Sequence, residues 1–492
     1  MEAVDANRSM PLRLDSWLPL IVILAATLFA RTYDLSHRPM HADEANQAVK
    51  TGGLLETGRY AFDPLDHHGP TLYYATIPIA RLRGETNLSS LSELTVRLVP
   101  ALAGTAAVWL LFWLAAPLGR WPALAAASFL AVSPPAVYYS RYFIQETLLA
   151  TFTLGALLAA MRWWRSGVWG WALGVGVFAG LMQSTKASAP LFGGAAIMAW
   201  FVAGGVRPSS PHPWRHLAIA GAVALGVVIL FYSSLGTNLA GLRDALLTYG
   251  HGLQRVSAST GHEKPGWYYL QLFTWQRNGG LVWEQLGFAA LSLAGVGVAL
   301  FTRGKFICWW AVYTAVVAGV LSLTPYKTPW HAIHLVPGLT ILAASALAAV
   351  PRRWLSVGLA IVVGALLARQ TQLVAFTRGS DARNPYAYVH SAPDVMKYRE
   401  LVETALARTP DGVVRVIGEE YWPLPWYLRG MPRVGYWSSV PAECDGALVF
   451  ASATFADEVR TRLRGSYREN YLGLRPGFTY VVFTPQVLSE QK

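Results

Sequence analysis

The sequence predicts a polytopic α-helical membrane protein whose chain ends in a small α/β domain. Three observations predict it. Of 492 residues, 53% are hydrophobic and only 14% charged, with 20 Trp among them, where soluble domains carry roughly a quarter charged residues. Apolar stretches close to the roughly 20 residues that cross a bilayer recur from residue 17 to residue 371. Beyond about residue 374 the composition turns mixed polar and alternates short apolar runs with helical patterns.

Taken in order, hydropathy in a window of about 19 residues gives about 11 spans, at 17–33, 93–116, 121–140, 144–163, 168–185, 188–205, 216–236, 281–301, 305–323, 332–350 and 354–371. The first lacks a small-residue cleavage signal and carries Arg31 and Asp34 at and beyond its end, so it reads as an uncleaved anchor. With the N-terminus inside, the inner turns hold Arg120, Arg162 with Arg165, Arg207 with Arg215, Arg303 with Lys305, and Arg352 with Arg353. That is the positive-inside pattern, and the reverse orientation would expose the whole set. The same placement accounts for the net charge of +12 without a nucleic-acid partner. Of the two cysteines, Cys308 falls in a span and Cys444 in the terminal domain, so they are not a pair.

This topology puts four polar segments on the extracytoplasmic face of a plasma-membrane protein: loop 34–92, the turn 140–146, loop 236–280 and the turn 324–331. Lys186 falls at the same level. Within the first loop, Asp43 to Gly58 reads as a helix with acidic residues early and a glycine stop. Pro70 suits the first turn of a second helix. Residues 72–82 are too short to span and are expected along the interface, with Tyr73 and Tyr74 in the aromatic belt. The domain division is therefore 1–372, with loop 34–92 carrying the acidic pair, and 373–492, where 413–417, 447–451 and 479–483 read as strands and 395–407 and 455–463 as helices.

Asp43 and Glu44 adjoin the end of a membrane helix, where carboxylates are costly and mark a functional site by default. Asp43 is the candidate general base and Glu44 its partner or orienter. A merely structural alternative is an acidic pair favoured at a helix N-terminus, an effect of about 0.3–1 kcal/mol. His41, Asp43, Glu44 and His67 are the candidate ligands of a divalent cation, although their spacing matches no closed metal motif. Equally, His67 and His68 serve as loop hydrogen-bonders or as partners of a hydroxylated substrate. Arg141, Lys186 and Lys327 are outer-face cations suited to phosphate, with interfacial snorkelling as the plain alternative. Glu146 pairs with a cation or polar group. His331 and His334 share a helix face and read either as sugar or phosphate contacts or as interface histidines. Loop residues His251, Arg255, His262, Glu263 and Lys264 receive no specific role.

Over about the first 340 residues this pattern resembles the GT-C glycosyltransferases, in particular the protein-mannosyltransferase and aminoarabinose-transferase group. The likeness rests on Asp43-Glu44 after the first span, Gly69-Pro70-Thr71-Leu72-Tyr73-Tyr74, Ser140-Arg141 with Glu146, Thr185-Lys186-Ala187, and Tyr326 through Pro337. More narrowly, His41–Gln47 with Asp66–Tyr74 resembles the flippase-activity-associated, Agl23-like proteins. The sequence departs from the family pattern where Gly-Pro-Thr replaces Pro-Pro and where Ala187 follows the lysine. The resemblance implies a GT-C-like fold and transfer of a sugar from a polyprenyl-phosphate-type carrier to a glycan, lipid or protein acceptor. It implies further that His67, His68, Tyr73, Arg141, Glu146, Lys186, Tyr326, Lys327 and His331 line the substrate site. A non-catalytic flippase, or a flippase-associated protein, is the competing expectation. The absence of an internal repeat and the clustering of ionisable groups on one face favour an enzyme.

Overall fold

The structure, a computed structural model, describes residues 14–66, 68–205, 207–257 and 261–486. Its first half is α1 (Leu14–Thr32), α2 (Ala42–Thr57), α3 (Thr71–Leu82), α4 (Glu93–Ala115), α5 (Arg120–Val132), α6 (Pro134–Ser140), α7 (Glu146–Ser166), α8 (Trp169–Gln183), α9 (Ala189–Val202) and α10 (Pro213–Tyr232). Next come α11 (Ala240–Ser257), α12 (Tyr268–Phe273), the hairpin β1 (Trp275–Asn278) and β2 (Leu281–Glu284), α13 (Leu286–Thr302), α14 (Lys305–Leu323), α15 (Val336–Ala349) and α16 (Arg353–Thr371). The terminal domain holds α17 (Lys397–Arg408), β3 (Val414–Ile417), α18 (Leu424–Tyr427), β4 (Val434–Trp437), β5 (Leu448–Ser452), α19 (Ala456–Arg462), β6 (Tyr467–Arg475) and β7 (Phe478–Pro485).

Among the described residues, six helices are long and apolar enough to cross a membrane: Glu93–Leu118, Glu146–Ser166, Pro213–Tyr232, Lys305–Leu323, Pro329–Ala349 and Arg353–Thr377. Four more apolar helices, around α1, α5, α9 and α13, are shorter. This is a multi-pass membrane protein. Every expected span meets a helix, with two corrections. The span expected at 121–140 breaks into α5 and α6 at Ser133, because a residue before proline avoids the helical region and two prolines follow. The span expected from 281 begins at Leu286, since residues 281–284 form the second strand of a hairpin.

Packing inside the bundle follows small residues and buried polar caps. A Cβ on Gly176 or Gly180 would meet the α10 carbonyls of Ala220 and Ala224 at 2.5 and 2.7 Å, so α8 and α10 pack backbone to backbone. The other side of α10 exposes Leu217, Leu225, Ile229 and Leu230, as a lipid-facing helix must. Arg31 donates to the Leu130 and Ala131 carbonyls at the end of α5 and to Ser140 Oγ. A guanidinium there satisfies carbonyls that no helical N–H reaches.

The terminal domain is a five-stranded sheet in the order β4-β3-β5-β7-β6, parallel across β4, β3 and β5 and antiparallel through β7 and β6. The three strands read from the sequence are present. The sequence reading passed over β4 and β6, whose half-exposed residues lack the apolar signature of buried strands. The boundary expected at 373 falls within a continuous element, since α16 runs on through a π turn at Gln372–Thr377. The domain also shares its core with the membrane half, where Met40, Ala45, Leu91 and Val96 pack in one cluster with Tyr398, Trp426 and Phe450. Trp426 Nε1 donates to Glu93 (2.7 Å), Arg429 to the Leu91 carbonyl (2.9 Å), and the Met40 amide to Tyr427 Oη (2.8 Å).

Candidate active site

The site is organised around the start of α2. His41 caps that helix by accepting the Asp43 amide on Nδ1 (3.0 Å), while its own amide donates to Glu44 Oε2 (3.1 Å), a reciprocal capping box. Because Nδ1 accepts, the ring proton sits on Nε2, which donates to the Tyr388 carbonyl at 3.1 Å. Glu44 is wholly buried and saturated. Arg97 grips it bidentately (2.8 and 3.0 Å), the Phe143 amide donates at 2.9 Å, and Arg38 lies 3.6 Å away. Burial alone would raise this carboxyl, but the Arg97 and Arg38 guanidiniums and the hydrogen bonds outweigh it and hold the group at about 2. Glu44 is thus a permanent anion that sets the position of α2, 97 and 143. Asp43, one residue earlier, points the other way: its side chain is 51% exposed, and its carboxylate stands 3.9 Å from His41 Nδ1.

The expected cations differ in what already neutralises them. Arg141 donates to the carbonyls of Ala30 (3.1 Å), Tyr33 (2.5 Å) and Asp34 (3.2 Å) at the end of α1, and lies over the Phe376 ring. Burial, then the charges of Arg38 and Arg97, lower its pKa to about 9. Its Nη1 and Nη2 donors cap α1 instead of standing free for a phosphate as expected, and its buried Nε has no hydrogen-bond partner among the described residues. Lys186 is ion-paired with Glu146, itself buried, which accounts for that carboxylate. Lys327 is different. It is 2% exposed, and its Nζ donates to the carbonyls of Lys264 (3.0 Å) and Thr324 (2.5 Å). Among the described residues it has no ion pair, and burial pushes its pKa down. Two carbonyls thus aim an ammonium that has a third N–H and no counter-charge among the described residues.

Of the remaining expected residues, Tyr326 packs its ring 5.0 Å from that of His262 in a tilted arrangement, and its segment bridges to Glu263. His331 is half-buried beside Thr328 and the Tyr269 hydroxyl (3.4 Å each). His68 lies on the loop that docks on residues 184–185, where the Gly69 amide donates to Thr185 O (3.1 Å) and the Thr71 amide to Ser184 O (3.3 Å). A Cβ on Gly69 would stand 2.1 Å from the Ser184 oxygen, so the Gly-Pro-Thr departure serves this close contact. Tyr73 corrects another expectation. It is fully buried inside the protein, with its hydroxyl on Gln47 and its ring 5.0 Å from Tyr60, and so does not face lipid. His67 and the side chains of His251 and Arg255 lie outside the described residues.

Tertiary structure adds residues that sequence reasoning passed over. The connection after α16 brings Tyr388 and His390 against α2, with His390 5.8 Å from the His41 ring. Burial and the neighbouring Arg38 and His41 push His390 far below the usual histidine range, so it is neutral. Arg38 lies 4.1 Å over Tyr142. Arg97 alone carried a signal, as an arginine near the start of an apolar span. As for a metal, no group of three His, Cys, Asp or Glu side chains among the described residues is arranged to hold one. Both His41 nitrogens and both Glu44 oxygens are already committed, which removes two of the four expected ligands.

A family model described as dolichyl-phosphate-mannose-protein mannosyltransferase matches residues 76–232. The fold of ArnT from Cupriavidus metallidurans bound to undecaprenyl phosphate superposes with a TM-score of 0.69 over 96% of this chain and 98% of that one, at 16% identity. This chain has a GT-C fold. The Archaeoglobus fulgidus oligosaccharyltransferase AglB, in complex with an inhibitory peptide and a dolichol-phosphate, shares that GT-C fold with a TM-score of 0.54 at 14% identity, over 90% of this chain and 70% of that one. No curated protein sequence matches the chain. These likenesses bear on the GT-C fold and not on the narrower Agl23-like subgroup.

Proposed function

We propose that this protein is a membrane glycosyltransferase that moves a sugar from a polyprenyl-phosphate-type carrier to an acceptor hydroxyl on the extracytoplasmic face. Lys327 carries the reading: a buried ammonium, fixed by two carbonyls and without an ion pair among the described residues, is suited to bind the carrier phosphate. The exposed Asp43 supplies the complementary group. In the reaction, the Asp43 carboxylate takes the proton of the acceptor hydroxyl as that oxygen bonds the anomeric carbon. The bond from that carbon to the carrier phosphate breaks, and its electron pair goes to the phosphate oxygen beside Lys327. Catalysis lies in meeting charge as it develops on the leaving group. Glu44, Arg97 and the His41 cap are positioning residues in this scheme, and Lys186 joins phosphate binding only by leaving Glu146. The family match and the lipid phosphates named in the two GT-C structures support the donor class.

The test is release of polyprenyl phosphate from a panel of lipid-linked sugars by the purified protein in detergent, where transport is impossible. Wild type is expected to release it, and Asp43→Asn and Lys327→Ala to lose release by orders of magnitude. Undecaprenyl phosphate binding that needs Lys327, with no release from any donor, would replace the transferase by the flippase-associated reading.

A further inference from the structure

We propose that Tyr388, from the segment leading into the terminal domain, is the positioning residue that couples the carboxylate half of the site to its cation half. The inference rests on the roles given above to Asp43 and Lys327. Tyr388 joins the two halves through different atoms. Its carbonyl accepts from His41 Nε2 at 3.1 Å, and the same ring accepts the Asp43 amide on Nδ1. Its hydroxyl is hydrogen-bonded to His262 Nδ1 at 2.7 Å. The His262 carbonyl in turn accepts the Lys327 amide (3.1 Å), and the Lys264 carbonyl accepts Lys327 Nζ (3.0 Å). The Tyr388 ring completes the contact, with Lys264 Nζ 5.4 Å above it and Trp330 at 6.1 Å. One residue thus stands one hydrogen bond from the cap of α2 and one from the 262–264 segment that fixes Lys327.

The backbone beside it points the same way. Val389 has φ of 49°, a left-handed conformation that β-branched residues rarely adopt and that persists only where the surroundings impose it. Val389 lies between Tyr388, held on both sides as above, and the buried His390. The terminal domain docks beside this point, since Tyr427 accepts the amide of Met40, the residue before the His41 cap, while Trp426 and Arg429 bind Glu93 and the Leu91 carbonyl at the start of α4.

The experiment is a double-mutant cycle on the full-length protein, with undecaprenyl phosphate binding as readout and donor-dependent release as a second readout. Tyr388→Phe removes the hydroxyl while keeping the ring and the carbonyl. It is expected to weaken binding about 3- to 10-fold, as for one neutral hydrogen bond. The KM for donor should rise while kcat holds, with an unchanged thermal midpoint. In Lys327→Ala the further loss from Tyr388→Phe should vanish, since Tyr388 acts through Lys327. Losses that multiply, or wild-type binding by Tyr388→Phe, overturn the coupling. Intact coupling without release from any donor sinks the transferase and keeps the coupling. Absence of undecaprenyl phosphate binding by wild type overturns both.

Discussion

Replacing Glu44 by Gln removes the charge and, with the amide oxygen kept for Phe143 N and Arg97 Nε, turns the other position from an acceptor of Arg97 and of the His41 amide into a donor. In the native protein the carboxyl is held at about 2 against an ordinary 4.5. At roughly 1.4 kcal/mol per pH unit, that depression stabilises the fold by about 3 kcal/mol at neutral pH. The figure agrees with the roughly 3–5 kcal/mol expected when one partner of a buried pair is removed and Arg97 is left uncompensated. With an unfolding entropy of about 2.1 cal/mol/K per residue, a chain of this length loses about 3 °C in thermal midpoint. The depressed pKa sets the pH window. The stabilisation is complete above about pH 4.5 and is lost as the pH falls through about 2, so the gap between wild type and Glu44→Gln should be constant at neutral pH and close on acidification. Thermal melts in detergent across pH give the readout, beside the release assay, in which Glu44→Gln should be impaired through displacement of α2. A variant that melts with wild type at neutral pH and keeps full release would refute the assignment of Glu44 as the anchor of the site.

Arg141→Ala strips the cap from the end of α1 and should destabilise the protein by about 2–3 kcal/mol, while undecaprenyl phosphate binding per folded molecule stays at wild type; a selective binding loss would return Arg141 to the phosphate site. Asp43→Asn should melt within about 1 °C of wild type, because its side chain is half exposed and the cap uses its amide, yet release should disappear. Gly69→Ala forces a methyl against the Ser184 carbonyl and should lower the midpoint and mobilise the 68–71 loop, seen as faster hydrogen exchange there. A chelator should leave release unchanged, given the commitments of His41 and Glu44; loss restored by a divalent cation would show that the ligand set differs from the one described.

Helices were legible wherever a property is local. Hydropathy placed a helix at each expected span, with the break at Ser133 and the later start at Leu286 as exceptions, and the acidic start of α2 and its glycine stop were readable because caps are set within a few residues; Gly58 takes φ of 66° as that stop requires. That the two adjacent carboxylates open α2 was also readable from the sequence. What each expected cation does was not. Arg141, Lys186 and Lys327 look alike along the chain, and only the fold gives the first to helix carbonyls, the second to Glu146, and leaves the third without a counter-charge among the described residues. Tyr73 followed the same rule, since an aromatic at a helix start faces lipid or core according to what packs above it.

The sequence by itself determined the class of the protein and most of its apolar helices, because burial in a bilayer constrains every residue of a segment in the same way. Tertiary structure alone decided which groups meet. Glu44 finds Arg97 across 53 positions and His41 finds Tyr388 across 347. Contacts over such separations leave no local periodicity to read, and charges change meaning with the partner they find.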